Sequence, residues 1–362
     1  MALVNGIKDA INYLTAPQIF ITVVAILFFV SLRVKALWRP RAALVMGVAG
    51  AAFLAVSMRD PNFAIIVKKP DNIPIVAMLF LVGFFVWLAM YQALQNDERI
   101  ARGEAPLEAS DGEEQKTWVW PDLVYTELLC MVICMIVLVL WGMAFHAPIE
   151  EAANPSRTPN PSKAPWYFLG LQEMLVYYDP WLAGVVFPSL IIVGLMAIPY
   201  IDLNPKGNGY FTFKERRAEI TIFMFGFLIQ WVLLVILGTF LRGPNWNFFG
   251  PYEYWDIHKL LALNNVNLSE YVWVKGTGTG LPSNMLVREI PGILAVLFYV
   301  VVLPGLLAKT LLKKYFAKLG PWRYSVFVML LLMQIALPIK MVLRWLFNLK
   351  YIIAMPEIFF NI

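Results

Sequence analysis

The chain has 362 residues, of which 60% are hydrophobic and only 15% are charged, with a net charge of +5. Soluble domains carry roughly 45–50% apolar and about 25% charged residues, so most of this surface is expected to face lipid. The positive charge therefore reports on membrane topology, and we expect no nucleic-acid partner. Two cysteines exclude a disulfide framework, and no Cys-x-x-Cys-His motif offers covalent haem attachment.

Long apolar segments predict transmembrane helices, because about 20 helical residues cross the hydrocarbon core of a bilayer. The runs are continuously apolar rather than alternating, which excludes a β-barrel. We therefore predict an all-α integral membrane protein with about eight transmembrane helices. The predicted spans lie near 13–32, 42–58, 73–95, 123–145, 181–201, 219–241, 290–309 and 323–345.

Basic loops predict the orientation of these spans. Lysine and arginine crowd the loops at 33–41, 206–217 and 309–323, which fall on one side of an eight-span chain. We assign that side as cytoplasmic, because loops rich in lysine and arginine stay inside. Both termini and the loop 146–180 then lie on the periplasmic side of a bacterial cytoplasmic membrane.

Three basic residues disagree with this pattern. Lys340, Arg344 and Lys350 lie toward the periplasmic end of the eighth span. They either extend to lipid headgroups or contact a partner.

The periplasmic loop after the fourth span contains NPSRTPNPSKAPWYF, from Asn154 to Phe168. Its four prolines forbid a regular helix. The stretch then ends in three consecutive aromatic residues. We expect a rigid backbone that leads into an aromatic surface at the membrane interface.

The region from Pro121 to Leu241 resembles the C-terminal part of cytochrome b, called subunit IV in cytochrome bf complexes. Three quoted features follow each other in the order of that family. They are PDLVYTELL from Pro121, HAPIEEAANPSRTPNPSKAPWYF from His146, and LGLQEMLVYYDPWLAGVVFPSLIIVGLMAIPYID from Leu169. The pattern is most similar to the subunit IV-like protein of bacterial menaquinol:cytochrome c reductases. The resemblance implies a short surface helix in the loop after the fourth span.

This resemblance implies a haem-free membrane subunit of a quinol:cytochrome c oxidoreductase, with menaquinol as the expected quinol and no catalysis by the chain alone. Two lone histidines cannot bracket b haems, so the b haems and an iron–sulfur cluster are expected on partners. The implied partners are a four-helix cytochrome b, a Rieske-type iron–sulfur protein and a c-type cytochrome. Lipids are further partners, and the complex has several subunits, with a dimer as one option.

In the family, the proline-rich loop forms part of the quinol-oxidation site on the positive side of the membrane. The resemblance implies that Pro165, Trp166, Tyr167 and Phe168 contact the quinol. His146, at the exit of the fourth span beside the proposed site, is a further candidate to bind the quinol by a hydrogen bond. Pro165 replaces the glutamate that accepts a proton in the family's Pro-Glu-Trp-Tyr motif.

Another carboxylate is therefore a candidate for the proton acceptor. Glu173 lies seven residues after Trp166 and would share its face if Gly170–Tyr177 is helical. Glu150, Glu151 and Asp179 are further candidates. The alternative is that the proton leaves by water or through a partner.

No metal site is predicted, because Cys130 and Cys134 share a helix face without further ligands near them. A structural anchor without a working quinol site stays open as an alternative function, and a transporter is disfavoured because the spans are almost free of charge. The expected organisation is a three-helix extension at 1–95, a polar linker at 96–120, a subunit IV-like module at 121–245, an aromatic loop at 246–289 and a two-helix extension at 290–362.

Overall fold

The structure is a computed structural model that describes residues 2–111, 117–145, 152–204 and 210–362. Seven of its helices are long and apolar enough to cross a membrane. A pair of shorter helices bent by 81° makes an eighth candidate span. The prediction of an all-α integral membrane protein with about eight spans is therefore confirmed.

The helices follow the predicted spans closely. The bent pair is α1 (Ala2–Leu14) and α2 (Pro17–Ser31), and the long spans are α3 (Pro40–Ser57), α5 (Ile73–Ala101), α7 (Val119–Ala144), α9 (Leu182–Ile201), α10 (Arg217–Leu241), α12 (Met285–Lys309) and α13 (Lys313–Phe347). Shorter helices are α4 (Pro61–Lys68), α6 (Leu107–Asp111), α8 (Trp166–Met174) and α11 (Glu270–Gly276), and a two-stranded antiparallel sheet pairs β1 (Ala354–Met355) with β2 (Phe360–Asn361).

Proline residues set the boundaries of several helices. Pro17, Pro40 and Pro61 each occupy a first helical position, where the missing N–H costs nothing. The predicted first span at 13–32 is broken for this reason, since Pro17 starts a new helix after a bend. Helix α1 then contacts the loop after α10, because the Asn12 Oδ1 atom accepts a hydrogen bond of 3.0 Å from the Tyr252 amide.

The described parts of the basic loops and of the polar segment after α5 lie at one end of the bundle. Ion pairs and hydrogen bonds connect them in a chain. The connecting contacts are Arg39–Glu98 at 2.6 Å, the Lys214 amide to Asp97 at 3.1 Å, and Arg323 Nε to the Tyr200 carbonyl at 2.9 Å.

The main core lies at the opposite end, around the last turns of α10. Leu234 and Leu237 of this helix are fully buried among residues from α2, α8, α9 and α13. In contrast, α7 contributes no buried residue. The largest unpacked surface of a span therefore belongs to α7.

The three basic residues near the end of α13 bind carbonyl and amide oxygens within the chain. Lys340 Nζ donates to the Lys350 carbonyl at 2.7 Å, and Arg344 Nη2 donates to Asn265 Oδ1 at 2.6 Å. Lys350 Nζ donates to the Leu175 carbonyl at 3.0 Å, just beyond the end of α8. The sequence suggested that these three cations contact lipid headgroups or a partner. In the structure they are bound by oxygen atoms of the chain itself.

The C-terminal tail packs against α12 and against the turn before α9. Trp181 Nε1 donates to the Asn361 carbonyl at 3.0 Å, and its ring stacks on Phe360 with centroids 5.4 Å apart. Gly292 of α12 lies so close to the tail that a Cβ atom there would stand 2.0 Å from the Ile352 carbonyl oxygen. The two-helix C-terminal extension is thereby attached to the segment that leads into α9.

Replacing Gly292 by alanine should destabilise the protein, because overpacking a close contact costs about 1–3 kcal/mol. Thermal unfolding in detergent should show a lower midpoint, with faster carboxypeptidase release of the tail. Gly305→Ala, in the same helix, is the control, since nothing lies within 4 Å of its added Cβ. Equal unfolding midpoints for the two variants would contradict the tight docking of the tail.

Candidate functional site

Helix α8 begins directly after the proline-rich stretch. Pro165 precedes it in an extended conformation, with φ −52° and ψ 147°, and the helix runs from Trp166 to Met174. The short helix expected in this loop is present and contains both Trp166 and Glu173, although it begins and ends earlier than 170–177. Pro165 holds an extended backbone, so the helix starts at the next residue, and the chain leaves it by tight turns before Tyr178.

Three aromatic side chains form an exposed surface at the start of α8. Trp166, Tyr167 and Phe168 are 39%, 52% and 52% exposed. Their rings meet edge to face, with centroids 5.7 and 5.6 Å apart. The Tyr167 ring also lies 5.3 Å from that of Trp231 in α10. Because Trp231 precedes the end of α10 by ten residues, or about 15 Å along the axis, this aromatic wall extends alongside the span.

Two glycines allow α8 to lie against α10. A Cβ on Gly238 would stand 3.0 Å from the Leu169 carbonyl oxygen, and a Cβ on Gly170 would stand 3.3 Å from Val235 Cγ2. Larger side chains at these positions would push the helices apart. The close approach fixes the depth of the aromatic wall relative to the span.

Glu173 lies on the interior side of α8 and is fully buried. Its carboxylate accepts hydrogen bonds from Arg242 Nε at 2.9 Å and Arg242 Nη2 at 2.5 Å. Trp246 Nε1 donates to it at 3.2 Å. The pair connects α8 to the segment after α10, which is a positioning role that sequence reasoning missed. A proton transfer from a quinol at the exposed rings to Glu173 would require this pair to open, and that role stays a prediction.

The proline-rich stretch is attached to the same segment after α10. Asn160 Nδ2 donates to Asn245 Oδ1 at 2.9 Å, and the Asn245 amide donates to Asn160 Oδ1 at 2.6 Å. Gln172 of α8 donates to the Ser162 carbonyl and accepts from the Ala164 amide, at 2.8 and 2.9 Å. The backbone before Trp166 is therefore held by the segment after α10 and by α8 itself.

Lys163 is a second residue that the sequence analysis did not single out. Its Nζ donates to the Thr239 carbonyl at 2.9 Å and lies 4.8 Å from the Trp255 ring centroid. Burial lowers the pKa of Lys163 to about 7, Lys69 and Arg242 add repulsion, and Glu173 opposes the shift. The sequence signal that could have indicated this buried lysine was its position within a stretch of prolines and aromatic residues.

Four further residues were candidates for the site. His146, Glu150 and Glu151 lie outside the described residues. Asp179 accepts from the Asn361 side chain at 3.1 Å, on the side of the C-terminal tail. Within the described ranges, no group of three His, Cys, Asp or Glu side chains could hold a metal ion.

Comparison with known proteins identifies this part of the chain. Residues 152–253 match the family described as cytochrome b (C-terminal)/b6/petD, so this segment is a domain of that family. The match covers α8, α9, α10 and the chain after α10 as far as residue 253, and it starts and ends later than the resemblance seen in the sequence.

Among curated proteins, the chain is similar to one from Geobacillus thermodenitrificans named menaquinol:cytochrome c reductase cytochrome c subunit. The two are 29% identical over 119 residues, which is 31% of this chain and 48% of that protein. The chain thus spans about half the length of this relative. No solved structure matches the chain.

Replacing Arg242 by alanine should leave the Glu173 carboxylate buried and unpaired, which costs about 3–5 kcal/mol. The unfolding midpoint of the purified protein should fall strongly. Arg102→Ala, which removes an exposed ion pair with Glu104, should leave the unfolding midpoint nearly unchanged, because solvent screens such pairs. A loss from Arg242→Ala no larger than this control would show that the buried pair does not hold α8 in place.

The lowered pKa of Lys163 predicts a pH dependence of stability. Between pH 7 and about 10 the unfolded chain binds a proton at this amine that the folded chain releases, so the wild type should gain stability as pH rises. Lys163→Met should lack this part of the gain in unfolding midpoints measured at pH 7 and 9. The exposed Lys314→Met is the control. A Lys163→Met profile parallel to that of the wild type would refute the assignment.

Proposed function

We propose that the chain is a membrane subunit of a bc-type quinol:cytochrome c oxidoreductase, and that it supplies one wall of the quinol-oxidation site. The observation that carries this proposal is the exposed aromatic surface of Trp166, Tyr167 and Phe168, fixed on α10 within a cytochrome b C-terminal domain. Menaquinol is the expected substrate, in keeping with the name of the relative.

The geometry of the wall suits a quinol ring. Ligand sites of this kind are largely apolar, with few polar groups, and aromatic faces bind flat rings by offset or edge contacts. The Tyr167 hydroxyl and the Trp166 indole N–H are polar groups of the wall that can donate to a quinone oxygen. Pro165 and the bonds around it keep the rings in place before the quinol arrives, which lowers the entropic cost of binding.

The chain's contribution to the reaction is to orient the quinol and to exclude water from one side. A quinol gives up two protons and two electrons, and the electrons pass to a Rieske-type iron–sulfur protein and to b haems on a four-helix cytochrome b. His258, the histidine among the described residues, lies in a loop. We assign the redox groups to partners, with a c-type cytochrome as the following acceptor.

Helix α7 supports an interface with a second membrane subunit. Its entire surface is unpacked within the described chain, although it directly precedes the family domain. We assign the cytochrome b subunit to this surface. Cys130 and Cys134 are both exposed on α7 and are the only cysteines in the sequence, so they report directly on whether a partner covers it.

The positive-inside rule gives the orientation that this function needs. The basic loops gathered at one end of the bundle are placed in the cytoplasm of a bacterium. The loop 146–180, the aromatic wall and both termini then lie on the periplasmic side. Protons released by the quinol would leave on that side.

A structural anchor without a working quinol site is the second candidate. It is favoured by Pro165 in place of the family's glutamate and by the closure of Glu173 into its ion pair with Arg242. Both candidates use the same fold and partners, and they differ in what the aromatic wall does.

Replacing Trp166 by alanine separates these two functions. Loss of the stacking surface should lower kcat/KM for menaquinol oxidation by the purified complex about tenfold, or about 1.4 kcal/mol. Trp322→Ala is the control, since this tryptophan is 83% exposed at the other end of the bundle. Unchanged turnover and inhibitor binding in Trp166→Ala would leave the anchor as the function.

Replacing Glu173 by glutamine tests the predicted proton acceptor. If Glu173 accepts the proton, turnover of the assembled complex should fall and the pH profile of the remaining activity should change shape. If Glu173 only positions α8, stability should fall while the pH profile of the remaining activity keeps its shape. The second result would refute the role of Glu173 as proton acceptor, and it would leave the proposed binding of the quinol to the aromatic wall unaffected.

A further inference from the structure

A large groove lies at the end of the bundle opposite α8, between α5 and the first turns of α10. Its volume is about 1150 Å³, which exceeds the 300–1000 Å³ typical of sites for drug-sized ligands. One wall belongs to α5, outside the family match, and the other to α10, inside it. The groove therefore depends on the chain's additional spans.

Polar and apolar groups are separated along this groove. The apolar part of the groove, called the trough below, is lined by Phe85, Ala89, Phe223 and Phe227. The side chains of Phe85 and Phe223 are mostly exposed on the face of the spans. The charged lining residues lie together at one end of the groove, called the mouth below, where α9 ends and α10 begins. They are Asp202, Glu215, Arg216, Glu219 and Lys318. A ligand that fills both parts must be an amphiphile, with its apolar part along the spans and its headgroup at the mouth.

The charges at the mouth define the headgroup. Arg216 Nη2 and Nη1 bind the two oxygens of Asp202 at 2.6 and 3.1 Å, and this guanidinium lowers the pKa of the carboxyl, so that the pair stays ionised and mutually satisfied. Glu219 is half exposed and lies 3.5 Å from Arg216. Lys318 lines the same mouth and takes part in no ion pair among the described residues. Glu215 lines the mouth as well, so among the described residues three carboxylates and two cations border it, and Glu219 and Lys318 present charges of both signs to a ligand.

We propose that this groove binds one phospholipid with a zwitterionic headgroup, an ammonium joined to a phosphate. The phosphate would lie beside Lys318 and the ammonium beside Glu219, while an acyl chain fills the trough over Ala89. A singly anionic lipid would add a negative charge to a mouth whose described carboxylates already outnumber its cations. A quinone would leave both charges unused, because its ring is neutral.

The lipid would fill the space between α5 and α10 and join the N-terminal extension to the family domain. This role is independent of the quinol site, which lies at the other end of α10. A bound lipid that contacts only the folded state stabilises it in proportion to its concentration over its Kd. Loss of the lipid should therefore loosen the extension without altering the aromatic wall.

Native mass spectrometry of the full chain, released from mild detergent after partial delipidation, tests the proposal. The wild type should retain one phosphatidylethanolamine. Ala89→Trp should retain about tenfold less, because the indole fills the trough. Val45→Trp, on an exposed face of α3 away from the groove, is the matched control and should retain the lipid as the wild type does. Lys318→Glu, which reverses the charge beside the phosphate, should weaken retention without filling the trough.

Three results would overturn the proposal. The first is equal retention by Ala89→Trp and the wild type, which would mean annular lipid only. The second is a retained molecule that is a quinone or an anionic phospholipid. The third is a wild-type chain that retains no amphiphile and gains no thermal stability from added phosphatidylethanolamine. Thermal unfolding of each variant separates loss of binding from loss of the fold.

Discussion

The buried ion pair between Glu173 and Arg242 is the interaction on which the arrangement of the site depends. Both charged side chains are buried at the end of α10, and the attraction between them offsets the desolvation cost that each would have alone. Trp246 completes the set by donating to the same carboxylate. This geometry fixes α8 in rotation, so that Tyr167 and Phe168 lie on the side of the helix away from Glu173 and face outward.

Further contacts then determine the depth and direction of that aromatic wall. The glycines at 170 and 238 let α8 approach α10, and the bonds between Asn160 and Asn245 fix the proline-rich stretch that enters it. Lys350 reaches the carbonyl after α8 from the C-terminal extension. The parts of the chain outside the family domain therefore support the domain's site from its periphery, even though they supply no residue to the wall itself.

Much of the fold could be predicted from the sequence, because about twenty consecutive apolar residues leave few alternatives to a membrane span. The aromatic end of the proline-rich stretch was also visible, since prolines and three adjacent rings are local features. The partner of Glu173 was not visible, because Arg242 lies 69 residues away in the sequence. The internal contacts of Lys340, Arg344 and Lys350 escaped prediction for the same reason. A single sequence does not reveal which distant carbonyls surround a cation.

The central claim is that a quinol lies against Trp166, Tyr167 and Phe168, and photoaffinity labelling of the assembled complex tests it most directly. A menaquinol analogue with an azide on its ring would be activated during turnover, and the labelled peptides of every subunit would be mapped by mass spectrometry. The account predicts label on the peptide that contains Trp166 to Phe168, removed by excess unlabelled menaquinol. Competable label confined to partner subunits, with none on this peptide, would contradict it.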